Sequence, residues 1–293
     1  MDTHDDASLV SQTSTGLHVP ASSLCSCIRA YVTRSTLDAP HMTASQRRNH
    51  FSAAPFCVMS WVLQGESVLI RQGDTETDIA LPRPVSFGGV RTEPVVTANP
   101  GGVDLFMVIL LPEALHALTG IDMAAHTNRA SPFEEVFNTE WQAMAREVFA
   151  APDHATRIKL VEAFFEPRWE VARLRHGLQT GWVQDHLQGA ALRFYTSQWA
   201  RGLRQLERRI KSWCGVPLQR LSGMRRNEQR FLATTAVLKQ DGPISWAGIA
   251  ADTGYADQAH FCRETRKVTG LSPKELLRRA REEESYWMYR VWS

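Results

Sequence analysis

The sequence predicts an α+β protein: a β-rich N-terminal half, barrel- or sandwich-like, joined through a helical connector to an all-α C-terminal half. Three observations carry this. Short apolar runs separated by Gly and Pro fill residues 23–120. Helical spacing takes over after Pro112. Charge divides along the chain: residues 193–293 hold 19 Lys+Arg and 10 Asp+Glu, leaving 14 and 21 for residues 1–192. A balance of +9 against −7 points to a polyanion-binding half attached to a half with another task. A basic solvated surface would give the same count.

The bulk numbers narrow the classes. With 293 residues the chain has room for two domains, and its 43% hydrophobic and 22% charged residues suit a protein with a real core. No apolar run reaches the roughly eighteen residues that a membrane span needs. The start, Met1-Asp2-Thr3-His4-Asp5-Asp6, lacks the basic and apolar segments of a secretory signal. Five scattered cysteines fit a reducing compartment better than a disulfide framework, so a cytoplasmic location is expected.

Residues 1–22 are polar, rich in Ser, Thr and Asp, and are expected to form a disordered tail. Residues 23–120 then read as a β-rich domain. Cys25–Thr33 is a strand candidate, and Cys57–Gly65 leads into a second run over Ser67–Arg71. Gln72-Gly73-Asp74 is a turn, and prolines and glycines punctuate the stretch from Pro82 to Gly102. Leu105–Leu111 is short enough for a buried strand. Pro112 opens a short helix that Gly120 ends. Residues 121–192 form the helical connector, with Pro152 and Pro167 as breaks and Val148, Phe149, Ile158, Val161, Phe164 and Phe165 on apolar faces.

Residues 193–293 read as helices with short joints. The strongest signal is Ile244–Arg263, which reads as helix, tight turn, helix. Trp246, Ile249, Ala250 and Thr253 share one face. Ala250 is small where a second helix must cross. Gly254 can adopt the positive φ that ends the first helix, and Asp257 places a carboxylate near the positive end of the second. Phe261 would anchor that helix. Its other face carries Gln258, Ala259, Cys262, Arg263 and Arg266. A helix fits the major groove of double-stranded DNA, where Gln pairs bidentately with adenine and Arg with guanine, and Ala or Cys can touch a thymine methyl. Arg266 and Lys267 lie nearer the far end, where phosphate contact is expected. The plainer alternative is a helical hairpin with a solvated basic face. Ser272, Pro273 and Glu275 then spell a capping box that opens a further helix.

The segment also repeats at an offset of 55 residues, Leu206–Val216 overlaying Phe261–Leu271. Two reading helices from one chain could enter successive major-groove faces roughly 34 Å apart. A helix from about Leu218 to Leu238 or Lys239 would join them.

With Gly254–Arg263 followed by Gly270-Leu271-Ser272-Pro273, residues 193–277 resemble the AraC/XylS family of bacterial transcription activators. The resemblance implies a DNA-binding domain of two helix-turn-helix units. Its DNA-facing positions would fall on Gln258, Ala259, Cys262 and Arg263 in the second unit and on Arg204, Gln205 and Arg208 in the first. The first unit departs from the pattern: Trp199 stands where Gly254 does, Tyr195 where Ala250 does, and Gly202 where Asp257 does. A Tyr at the close crossing opposes standard packing, so the basic first helix is expected to supply phosphate affinity more than base reading. Thr265 replaces a large apolar residue. The N-terminal half is similar to the sensor domains of such regulators, which implies a small-molecule effector or a homodimer, and RNA polymerase is a compatible partner.

The other candidates have simpler readings. Cys25 and Cys27, two apart on a strand, would share a face and with Cys57 could bind a metal or sense oxidation. Burial as small apolar groups explains them as well. Trp61 and Trp141 suit a core better than a pocket. The sequence shows no phosphate loop, paired nucleophile and base, or zinc spacing, so no metal, cofactor or catalytic residue is expected. Two alternatives stand beside the regulator. One is a methyl-accepting DNA-repair enzyme fused to the DNA-binding domain, using Cys57 or Cys27. The other is a ligand-binding scaffold whose helices contact proteins. The aromatic ending, residues 282–292, is expected to pack back on the protein or on a partner, with stacking on nucleic acid as the alternative.

Overall fold

The computed structural model describes residues 13–176, 208, 210–217, 245–252 and 255–291. Ten antiparallel strands form two sheets. They are β1 (Ser14–His18), β2 (Ile28–Ser35), β3 (Arg48–Phe51), β4 (Cys57–Gln64), β5 (Val68–Gln72), β6 (Thr75–Ala80), β7 (Val85–Gly88), β8 (Val95–Ala98), β9 (Asp104–Leu110) and β10 (Ala130–Pro132). The first sheet runs β1-β2-β9-β4-β7-β10 and the second β3-β8-β5-β6.

The large sheet is covered on both faces, which explains why β4 and β9 read as apolar runs instead of alternating ones. Met59, Trp61, Phe106, Val108 and Leu110 point to one side and pack under helices. Their neighbours Val58, Val62, Leu105, Met107 and Ile109 point to the other side, toward the second sheet.

The covering helices are α1 (Pro112–Thr119), α2 (Thr139–Ala150) and α3 (His154–His176). Trp141, Met144 and Val148 from α2 and Val161, Phe165 and Trp169 from α3 join the sheet residues in one continuous core. The described part of the segment expected to be a connector, residues 121–176, therefore packs into the N-terminal core. Pro167 does not break α3. It sits on the exposed face opposite Val161, Phe165 and Trp169. A mid-helix proline costs about 3 kcal/mol, whereas fully burying each of these side chains returns roughly 1.5–3. Packing wins.

The tail is ordered sooner than expected. Ser14–His18 pairs with Tyr31–Ser35 as β1, and Ser22–Leu24 is a 3-10 turn with Leu24 fully buried. The strand after it starts at Ile28, so Cys25 and Cys27 lie in a turn. Cys25 is exposed and Cys27 buried, and they do not share a face.

The C-terminal unit comprises α4 (Trp246–Asp252), α5 (Gln258–Thr269), α6 (Pro273–Glu282), a 3-10 turn at Glu284–Tyr286 and α7 (Trp287–Val291). No helix among the described residues is long and apolar enough to cross a membrane.

Candidate nucleic-acid interface

The helix after α4 starts behind Asp257, whose Oδ1 accepts a hydrogen bond from the His260 amide at 2.6 Å. This cap satisfies one of the donors that every helix start leaves open. Phe261, 1% exposed, packs on Ala250 and Tyr255, with its ring 6.2 Å from Trp246. The expected anchor and close crossing are both present. Gly254 and Thr253 lie outside the described residues. Gly270 ends α5 at φ 80°, its amide donating to the Arg266 carbonyl at 2.7 Å. Glycine is favoured at this left-handed position.

Pinning Phe261 inward turns the opposite side of α5 outward. Gln258, Ala259, Arg263, Arg266 and Lys267 are exposed and Cys262 is half-buried. At 100° per residue these six positions span half the helix circumference. The outer stripe thus holds an amide near the N-terminus, a guanidinium in the middle and two cations at the far end. Lys267 lies 4.0 Å from Glu264, a surface pair worth little.

The next helix is capped as expected at Ser272, whose Oγ accepts from the Glu275 amide at 3.3 Å. Glu275 does not close the box in return. Its carboxylate takes Arg278 at 2.9 Å and Arg279 at 2.6 Å, which holds it well below the usual carboxylate range, at about 2. Two guanidiniums on one carboxylate outcompete a single amide.

Of the first unit, Arg204 and Gln205 lie outside the described residues, as do Tyr195, Trp199, Gly202 and the joining helix at 218–239. Arg208 is exposed. The repeat is visible at its end: Gly215 has φ 79° and donates its amide to the Lys211 carbonyl at 2.8 Å, matching Gly270. Ile210, Cys214 and Val216 belong to the N-terminal core, so this helix is docked on the β domain by the side away from Arg208.

The second unit is bonded to the β domain too. The Ala53 amide donates to the Val268 carbonyl at 2.8 Å. Arg34 on β2 pairs with Glu284 at 2.6 Å, and Trp287 Nε1–H donates to Asn49 Oδ1 at 2.8 Å. The aromatic ending does pack back on the protein.

Between the sheets lies a cavity of about 240 Å³. Val58, Leu69, Met107 and Ile109 give it apolar walls, while Ser60, Ser86 and Thr97 leave room and add hydroxyls. Arg91 also borders it, with Nη1 donating to Gln72 Oε1 at 3.3 Å and burial pulling its pKa down. Sequence reasoning missed this space. The alternation Val58-x-Ser60-x-Val62, apolar with a small polar residue between, was its only trace.

The two cysteines considered for methyl-accepting chemistry do not suit it. Cys27 and Cys57 are fully buried, and burial first, then Glu113, push both thiols up. An activated cysteine needs the reverse shift and access. Trp61 and Trp141 lie in the core, Trp61 donating to the Ala145 carbonyl at 2.9 Å. Among the described residues no three His, Cys, Asp or Glu side chains form a metal-holding group.

A family model described as a helix-turn-helix domain matches residues 197–279. No curated protein matches the chain. Among solved structures, ToxT from Vibrio cholerae is similar over 91% of this chain and 98% of that one, with 10% identity and a TM-score of 0.40. ToxT from Vibrio cholerae O395 bound to (E)-4-(8-methylnaphthalen-1-yl)but-3-enoic acid covers the same shares, with 12% identity and a TM-score of 0.40. Likenesses this loose carry no argument about ligand or mechanism.

Proposed function

We propose, from the match of residues 197–279 to a helix-turn-helix family model and the resemblance to AraC/XylS regulators, that this chain is a transcription regulator that reads DNA sequence with α5. The observation that carries the reading is the outward stripe of α5, with Gln258 and Arg263 exposed on a helix capped by Asp257 and pinned by Phe261. In the major groove Gln258 and Arg263 supply base contacts, Ala259 and Cys262 supply apolar contacts, and Arg266 and Lys267 meet phosphates. In the first unit we assign Arg204, Gln205 and Arg208 to the backbone. RNA polymerase and a second copy of the chain are the further macromolecular partners we propose. The sandwich cavity is assigned to a small apolar effector, supported by its largely apolar lining between the sheets.

The test is binding of the full chain to duplexes selected from the source genome. The logarithm of affinity should fall linearly with the logarithm of salt concentration, with a slope of about −0.9 for each phosphate neutralised. Arg263→Ala should cost about 1–3 kcal/mol on the preferred duplex and relax preference at one base position. Equal weakening on every duplex would show that Arg263 does not read a base.

A further inference from the structure

The segment Glu284–Val291 makes the deepest contacts between the helical unit and the sandwich. Glu284 and Arg34 pair at 2.6 Å with side chains 0% and 2% exposed, and Arg290 closes on the same carboxylate. Trp287 is 1% exposed, bonds to Asn49 and lies with its ring 5.0 Å from the Arg34 guanidinium. Tyr286 stacks on His50 at 4.1 Å. A buried ion pair is a poor source of net stability, but it demands one geometry, since either charge left alone is costly. Only α6 separates this segment from α5, whose own last turn is bonded to Ala53. The first repeat is tied separately to the same domain, through Val216 in the core and the Gly215 carbonyl, which accepts from Thr127 Oγ1 at 2.7 Å.

The described end of the first repeat and the second unit are thus both held on one β scaffold while Gln258, Arg263 and Arg208 stay exposed. We infer that Glu284–Val291 is an interdomain latch that fixes where α5 stands relative to the first repeat, and so sets the spacing at which the chain grips DNA. The inference rests on the DNA-binding reading. The latch does not mask the reading face, so it acts by positioning. With it closed, both units engage as parts of one body. With it open, the second unit engages on a loose tether and much of the gain from joining two binding modules is lost. Met288, Tyr289 and Val268 also line the sandwich cavity, so an occupant would press on the latch.

The test uses the full chain, a selected genomic duplex spanning both footprints, and a half duplex spanning the α5 footprint alone. Trp287→Ala should bind the full duplex at least about tenfold more weakly while changing half-duplex affinity by less than about twofold. In hydrogen exchange its Ala53 amide should lose protection while the amides of β4 and β9 keep theirs. Should β4 and β9 also lose protection, the near-isosteric Glu284→Gln is held to the same criteria. An unchanged full-duplex affinity, or equal loss on both duplexes, overturns the latch and leaves the DNA-binding reading standing. A wild-type chain that binds no duplex overturns both.

Discussion

His50 shows how much a single side chain depends on surroundings far away in sequence. It stacks on Tyr286, and its pKa lies at about 4, lowered first by burial and then by Arg71, Arg279 and Arg48. The unfolded imidazole titrates near 6.5. Above that pH neither state binds the proton and stability is full. As pH falls from 6.5 toward 4 the unfolded chain takes up a proton that the folded chain refuses, so stability drops by roughly 3 kcal/mol and then levels for this group. Urea unfolding of wild type and of His50→Phe, which keeps an aromatic ring against Tyr286, should show a shallower acid-side loss in the variant, the remainder coming from groups such as His126 and His154 that burial also lowers. Arginines divide in a similar way. Arg263 was legible as a surface residue because Phe261 and Ala250 place the opposite face inward by helical spacing. Arg34 was not, because its carboxylate partner Glu284 lies 250 positions away and no periodicity links them.

At the scale of elements, local chemistry was most legible where a cap or a period names its own helix. α5 begins after Asp257 and ends at Gly270, and α6 begins after Ser272, as their residue types require. Asp257→Ala should destabilise the C-terminal unit by about 1 kcal/mol, since the His260 amide loses its acceptor. A lower urea midpoint for loss of protection in α5, with the β domain unaffected, is the expected readout. Local reasoning did worse with β3, β6, β7 and β8. These are four to six residues long and sit between prolines and glycines that mask any alternation. Pairing with distant strands, such as Arg48–Phe51 with Val95–Ala98, makes them strands. Pro167 and the Cys25–Cys27 turn fail for related reasons. A helix survives a proline when its other face is anchored, and a strand candidate becomes a turn when its neighbour Leu24 is drawn into the core.

The described residues form a β sandwich backed by helices on one side and bonded to the C-terminal helices on another. Its interior space makes a prediction at this scale. An apolar fluorescent anion such as 8-anilinonaphthalene sulfonate should bind the native chain between the sheets. Ser60→Phe, which puts an aromatic ring into the 240 Å³ cavity from β4, should abolish the fluorescence while leaving the thermal midpoint equal or higher, as partial cavity filling does. Unchanged fluorescence would place the dye elsewhere. The sequence by itself determined the two-part α+β order, the caps of the last helices and the outward stripe of α5, because each follows from contacts within a few residues or from a short period. Only the tertiary structure decided that residues 121–176 pack into the N-terminal core, that a cavity lies between the sheets and that the aromatic ending is buried on the far domain. Those features arise where segments separated by tens to hundreds of residues meet, and which surfaces meet depends on the shape and charge of both partners together.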